Sequence, residues 1–185
     1  MSYCSIIIPT FNRFELLEKT LNSIQQFRQT ERFEVIVVDN GSSDDTDKVC
    51  ARNWPFLLKY FYDDIPGSLT GRHRGFQESK GDILCFIDDD IILNPGWIDA
   101  VIYTMENRPD IDLLTGPVFG AFESEPPKWL EHFWYEIKGV GKFCSYLSLL
   151  DLGEAVKEID PELVWSLNFC IRRFAFQNLK GFHPD

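Results

Sequence analysis

Three consecutive acids, Asp88, Asp89 and Asp90, follow directly on the apolar run Ile83–Ile87 and are the residues best placed to do chemistry. Carboxylates roughly 4–5 Å apart repel by a few kcal/mol per pair, even at an effective dielectric near 20. Such a cluster holds together only where a cation neutralises it, some acids keep a proton, or the acids turn into water. A hard divalent ion, Mg2+ or Mn2+, suits an all-oxygen site and commonly shares its shell with substrate phosphates. An acidic turn in water is the other reading. Asp39 weighs against that alternative. It ends a second β-branched run, so a parallel sheet places it on the same carboxyl-end edge, outside which open α/β sheets bind ligands. Pro9, Thr10, Phe11, Asn12 and Arg13 close the first apolar run and reach the same rim. One cleft would then hold an aromatic for stacking (Phe11, with core packing as its plainer use), an acceptor (Asp39), a phosphate partner (Arg13) and a metal site. Arg72 and Arg74 are the cationic pair closest in sequence to the acids. An arginine there can offset a diphosphate through bidentate hydrogen bonds. His73 between them reads as solvated or packed.

These residues meet only if the elements before them share a sheet. Cys4–Ile8 reads as a buried strand ended by Pro9. Asn12, with Glu15 three residues on, has the form of a capping box. It opens a helix over 14–27 whose apolar face is Phe14, Leu17, Leu21 and Ile24. Glu34–Val38 is apolar on both faces, as central parallel strands are. Leu57–Tyr62 and Ile83–Ile87 are further strands, with a helix over Ser68–Ser79 between them. Glycines at 67, 71 and 75 would let that helix pack close to the sheet. Another helix follows Pro95-Gly96 through Trp97, Ile98, Val101, Ile102 and Met105. The alternation predicts an α/β fold. Residues 119–160 predict loops plus one short helix, then Val164–Ile171 a strand and Arg173–Leu179 a helix.

The chain has 185 residues, enough for one such domain. Its 18 Lys and Arg against 29 Asp and Glu leave a net charge of −11. That balance argues against a nucleic-acid partner, which needs a basic field, and against adhesion to anionic lipid by charge alone. No run approaches the roughly 18 apolar residues that span a bilayer, and Ile6–Ile8 is too short for the core of a signal peptide. The five cysteines are odd in number and lack a CxxC pair. Buried, reduced thiols in a cytoplasmic protein are expected.

Taken together, the segments resemble the inverting glycosyltransferases of family 2. Ser5–Arg13 (SIIIPTFNR) is similar to that family's opening strand and turn, and Glu34–Thr46 (EVIVVDNGSSDDT) to its second-strand block. Gly71–Gly75 with Gly81-Asp82 resembles its arginine-containing helix, and Asp82–Trp97 (DILCFIDDDIILNPGW) its DxD strand, loop and next helix. Asn168–Arg173 and Leu179–Phe182 resemble the acceptor-side strand and turn. The resemblance implies the GT-A fold, a Rossmann-like, mostly parallel sheet flanked by helices with an acceptor-side C-terminal part. The 1–185 domain would divide into a nucleotide-sugar-binding half over about 1–115 and an incomplete acceptor-side half over about 116–185. It implies metal-dependent, inverting transfer from a nucleoside-diphosphate sugar, a UDP-sugar first among them, to a glycan or other hydroxyl acceptor in glycan biosynthesis.

The resemblance also carries residue roles. Pro9, Thr10, Phe11, Arg13, Asp39, Arg72, Asp88 and Asp89 would form the nucleotide-sugar site. Within it Thr10 and Phe11 hold the base, Asp39 accepts from its ring N–H and Arg72 lies near the diphosphate. Asp90 would be the principal ligand of Mg2+ or Mn2+, with Asp88 beside it. Asn40 stands where a second Asp is common, His73 where Asn is common, and Phe11 where Tyr is frequent. The family's base is usually an acid in a Glu-Asp pair just after the turn that Gly181-Phe182 resembles. Either the base then lies beyond Asp185 in a truncated chain, the favoured reading, or it lies elsewhere, with Asp185 at the frayed end a weaker candidate. A non-catalytic nucleotide- or sugar-binding module is the alternative. A dinucleotide oxidoreductase is disfavoured, since no GxGxxG follows the first strand. The aromatic stretch Pro126–Tyr135 spaces Trp129, Phe133 and Ile137 for one helix face. Core packing is its default, with an acceptor wall or a peripheral contact at the inner face of a membrane as alternatives.

Overall fold

A computed structural model describes residues 1–182. The first strand, β1 (Cys4–Thr10), is buried along its whole length and runs through Pro9. The expected stop at Pro9 does not occur, because that residue needs no donor there. Thr10 uses its carbonyl toward β2, accepting from Asn40 N–H, so Pro9, one residue back, faces the opposite neighbour. On that side the pairing with β4 has already ended at Ile7.

Helix α1 (Phe14–Ile24) buries Leu17, Leu21 and Ile24 along one face. Its cap corrects the capping-box expectation. Asn12 adopts a left-handed φ of 52°, and its Oδ1 accepts instead from Ser43 N–H at 2.8 Å. The first helical N–H, that of Phe14, is taken by Asp44 Oδ2 at 3.1 Å. The cap therefore comes from the loop after the next strand, β2 (Phe33–Asp39), and ties the two rim loops together.

Helix α2 (Thr46–Cys50), β3 (Leu57–Tyr62), α3 (Ser68–Glu78), β4 (Ile83–Ile87), α4 (Trp97–Asn107) and β5 (Leu113–Thr115) follow. A three-stranded sheet, β6 (Tyr135–Ile137), β7 (Gly141–Cys144) and β8 (Leu149–Asp151), precedes β9 (Asn168–Arg172) and α5 (Arg173–Asn178). The main sheet has the order β3-β2-β1-β4-β9-β5. Its first four strands are mutually parallel, and β9 runs antiparallel to both neighbours. One apolar core, over Ile6, Ile8, Val35 and Val37, receives α1, α2 and α4; another, over Ile7, Ile36, Leu84 and Phe86, receives α3 and α5.

Several expectations for the second half need correction. The strand read over Val164–Ile171 begins only at Asn168. Neither β5 nor the three-stranded sheet was foreseen, since their strands are short and weakly alternating. Trp129, Phe133 and Ile137 do not share a helix face. The first two lie in a 3-10 turn and Ile137 in β6, and Trp129 is exposed rather than packed in the core. All five cysteines are buried and free, and burial raises the thiol pKa of Cys50 to about 12.

Helix α3 lies against the sheet as closely as its glycines allow. A Cβ on Gly71 would stand 2.3 Å from Asn40 Oδ1, and one on Gly75 2.3 Å from Ile7 Cγ2. Gly67 has a different task, opening the helix at a φ of 125°. Gly75→Ala should therefore lower the unfolding free energy by about 1–3 kcal/mol in urea denaturation. Helix propensity alone would favour Ala by about 1 kcal/mol, so a loss identifies the Ile7 contact as the deciding term.

Candidate active site at the carboxyl edge of the sheet

The register of the parallel strands brings the candidate residues level. Thr10 pairs with Asp39, and Ile7 with Phe86, one residue before β4 ends and the three acids begin. A cavity of about 450 Å3 opens at this edge, lined by Pro9, Thr10, Phe11, Arg13, Arg72, Asp88 and Asp89 among others. Seven of the sequence-predicted residues thus share one cleft. Phe11 is 53% exposed, so its ring stands at the surface and is not part of the core.

The acids are neutralised by two arginines. Arg13 forks across two of them, with Nη1 2.8 Å from Asp89 Oδ1 and Nη2 2.6 Å from Asp90 Oδ2. Arg72 pairs with Asp88 through Nη2. Asp89 is the buried member. Its Oδ2 accepts from Thr10 Oγ1 at 2.7 Å, and its backbone carbonyl accepts from Thr20 Oγ1 at 2.8 Å. Burial pushes the Asp89 carboxyl above the usual carboxylate range, against the opposing effects of Thr10 and Arg13. Asp90 is the accessible acid, outside the cavity wall proper, and its Oδ1 takes no hydrogen bond from a described residue.

Asp39 does not line the cavity. It is 1% exposed, with Oδ1 accepting from Ser42 N–H at 2.7 Å and Oδ2 from the Tyr60 hydroxyl at 2.7 Å. Its neighbour Asn40 does line it, held by Nδ2 donating to Ile65 O at 3.0 Å. Pro66, Gly67, Ser68 and Ser166 complete the wall. The run Pro66-Gly67-Ser68 ahead of a helical stretch is the signal that could have found the first three; no local signal marks Ser166. His73 is packed, near Gly181 and against Phe76, as its plainer reading expected.

Two features of the wall invite an anion. Helix α3 begins at the cavity with no side-chain cap on its first N–H groups, and an uncapped helix N-terminus favours negative charge. Arg72 is 4% exposed, and its buried Nε–H has no partner. The acids offer oxygen donors of the kind a divalent ion takes. Among the described residues no three His, Cys, Asp or Glu side chains converge on a metal position. Magnesium-type ions, however, are commonly held by one or two carboxylates with substrate phosphates completing the shell. Asp90, with an open oxygen, and Asp88 beside it fit that donor set.

The model of the family described as Glycosyl transferase family 2 matches residues 5–175. The chain belongs to that family. The glycosyltransferase AglE of Haloferax volcanii is 32% identical over 125 residues, covering 64% of this chain and 40% of that protein. The crystal structure of Staphylococcus aureus TarS 1-349 superposes with a TM-score of 0.71 at 20% identity, covering 98% of this chain and 50% of that one. A mannosyltransferase from Pyrobaculum calidifontis in complex with GDP-Man and Mn2+ gives 0.66 at 17% identity, covering 98% and 48%. These likenesses show the fold, the GT-A arrangement of a mostly parallel sheet between helices. The chain spans about half the length of the curated relatives it matches. No helix among the described residues is long and apolar enough to cross a membrane.

The raised Asp89 pKa has a definite sign in stability. The native carboxyl holds its proton more tightly than the unfolded one, so its contribution is fully present at acid pH and is lost as pH rises through the raised value. Relative to Asp89→Asn, the wild-type chain should lose stability as pH rises from acid toward neutral in urea unfolding. A wild-type advantage that instead grew with pH would mean that the Arg13 pairing outweighs burial.

Proposed function

We propose that this family 2 domain transfers a sugar from a nucleoside-diphosphate sugar, a UDP-sugar first among candidates, to the hydroxyl of a glycan or other acceptor, inverting the anomeric centre. The observation that carries this reading is the meeting, at one cavity, of the uncapped start of α3 and the Arg72 guanidinium with the carboxylates of Asp88 and Asp89. A diphosphate with a divalent ion satisfies both sets. Phe11 offers its exposed ring to the base. Asp39 keeps acceptor capacity beyond the two bonds it makes and stays the candidate acceptor for a base N–H.

In the transfer step the glycosidic bond to the diphosphate breaks as the acceptor oxygen attacks the anomeric carbon from the opposite face. Arg72 and the α3 N-terminus stabilise the charge that collects on the leaving diphosphate. Mg2+ or Mn2+ held by Asp90, with Asp88, would supply Lewis-acid neutralisation of that same charge. Asp89 is buried and held by the Thr10 and Thr20 hydroxyls, so its part is to hold the rim together. No described residue is assigned as the base that takes the acceptor proton, and Asp185 lies outside the described residues.

UDP with Mn2+ at about 100 times its Kd should add about 2.7 kcal/mol of stability, a Tm rise on the order of 5–10 °C. Asp90→Ala should remove the metal-dependent part of that rise. No shift with any nucleoside diphosphate, with or without metal, would overturn the donor-site assignment. Nucleotide binding without transfer to any of several hydroxyl acceptors would favour the non-catalytic module.

A further inference from the structure

Arg13 lies where a cation is wanted, and its own chain supplies it. Its guanidinium reaches two different carboxylates, one with each terminal nitrogen, at 2.8 and 2.6 Å. With Arg72 on Asp88, the two arginines leave the three acids with one net negative charge. A bare divalent ion approaching this set finds Asp90 Oδ1 open but meets an adjacent fixed positive charge. A nucleoside diphosphate changes the balance. Its phosphates carry the charge that the uncapped start of α3 at the cavity favours, and they offer Arg13 a bidentate partner, which two separate carboxylates do not. The backbone of Arg13 is anchored, since its carbonyl accepts from both Leu16 and Leu17 N–H at 3.0 Å. Its side chain is 43% exposed, so the guanidinium can swing while α1 stays in place.

We infer that Arg13 is a resident counter-cation, seated on Asp89 and Asp90 until a diphosphate draws it away, so that the site admits the divalent ion together with the nucleotide and excludes the ion alone. The inference rests on the sugar-transfer reading and adds the order in which that site fills. It makes Arg13 a positioning residue, acting through the carboxylates that would hold the metal.

The test is a titration of Mn2+ into the full chain, read by the electron paramagnetic resonance signal of the free ion, with and without UDP or GDP. Wild-type protein should bind Mn2+ weakly alone and at least tenfold more tightly with nucleotide. Arg13→Gln should bind Mn2+ alone at least tenfold more tightly than wild type, and the gain from added nucleotide should shrink. Arg13→Lys, which keeps the charge but not the fork, should fall between the two and controls for a general loss of structure, with the melting temperature of each variant recorded. Equal affinity of wild type and Arg13→Gln for bare Mn2+, with nucleotide binding intact, would overturn the inference and leave the proposed function standing. Failure of wild type to bind any nucleoside diphosphate would instead remove the reading on which it rests.

Discussion

Three ionised carboxylates at the end of a buried strand cannot be left to one another, and the rim of this protein is arranged around that constraint. Two guanidiniums and one hydroxyl meet them, from two separate segments. Arg13 and Thr10 come with the end of β1, and Arg72 comes with α3. Each delivery has a structural precondition. Thr10 reaches Asp89 because β1 and β4 are neighbours. Arg72 reaches Asp88 because α3 lies close against the side chains of Pro9, Ile7, Val38 and Asn40, which the missing side chains of Gly71 and Gly75 permit. Repulsion among the acids and the closeness of a helix are thus parts of one arrangement. A bulkier α3 would move the cation away from the charge it has to meet.

The end of β2 solves a smaller version of the same problem. Asp39 is buried, and neither of its oxygens is left idle, one taken by a backbone N–H of the following turn and the other by Tyr60 from the adjacent strand. The turn that supplies Ser42 also supplies Ser43 to Asn12 and Asp44 to the start of α1. The loops after β1 and β2 are in this way knotted by hydrogen bonds, while Phe11 between them stays outside and open. Rigidity under the rim with one exposed ring on it is what a base-stacking surface requires, because a stacked ligand gains little from a ring it must first immobilise.

The first half of the chain was legible because its signals are local. Continuous β-branched runs mark central parallel strands, glycines four apart mark a close helix, and acids at strand ends mark the edge where ligands gather. The second half depends on contacts that no local pattern announces. Strand β9 earns its place by pairing Cys170 with Cys85, and β5 pairs with β9 in turn; their three- and five-residue lengths are too short for periodicity to speak. The cap of α1 failed as a local reading for the same reason, since Asp44 acts across 30 residues. At the site, the types of residue were visible but their pairing was not. Arg13 read as a partner for phosphate, and only the adjacency of β1 and β4 shows that it already has partners in Asp89 and Asp90.

That pairing gives the acidic balance of the chain a specific physical meaning. A net charge of −11 resists the approach of a bare diphosphate. Screening confines most of this resistance to charges within about 8 Å at physiological salt, so the acids at the rim matter more than the total. There the fixed charge is largely cancelled by Arg13 and Arg72 before any ligand arrives. On the proposed reading, a diphosphate carrying its own divalent ion, less anionic than the bare nucleotide, would offer the arginines new anions in exchange for the carboxylates it takes. Charge is then redistributed among ligand, acids and arginines rather than accumulated. An acidic protein can in this way hold an anionic substrate without a basic surface.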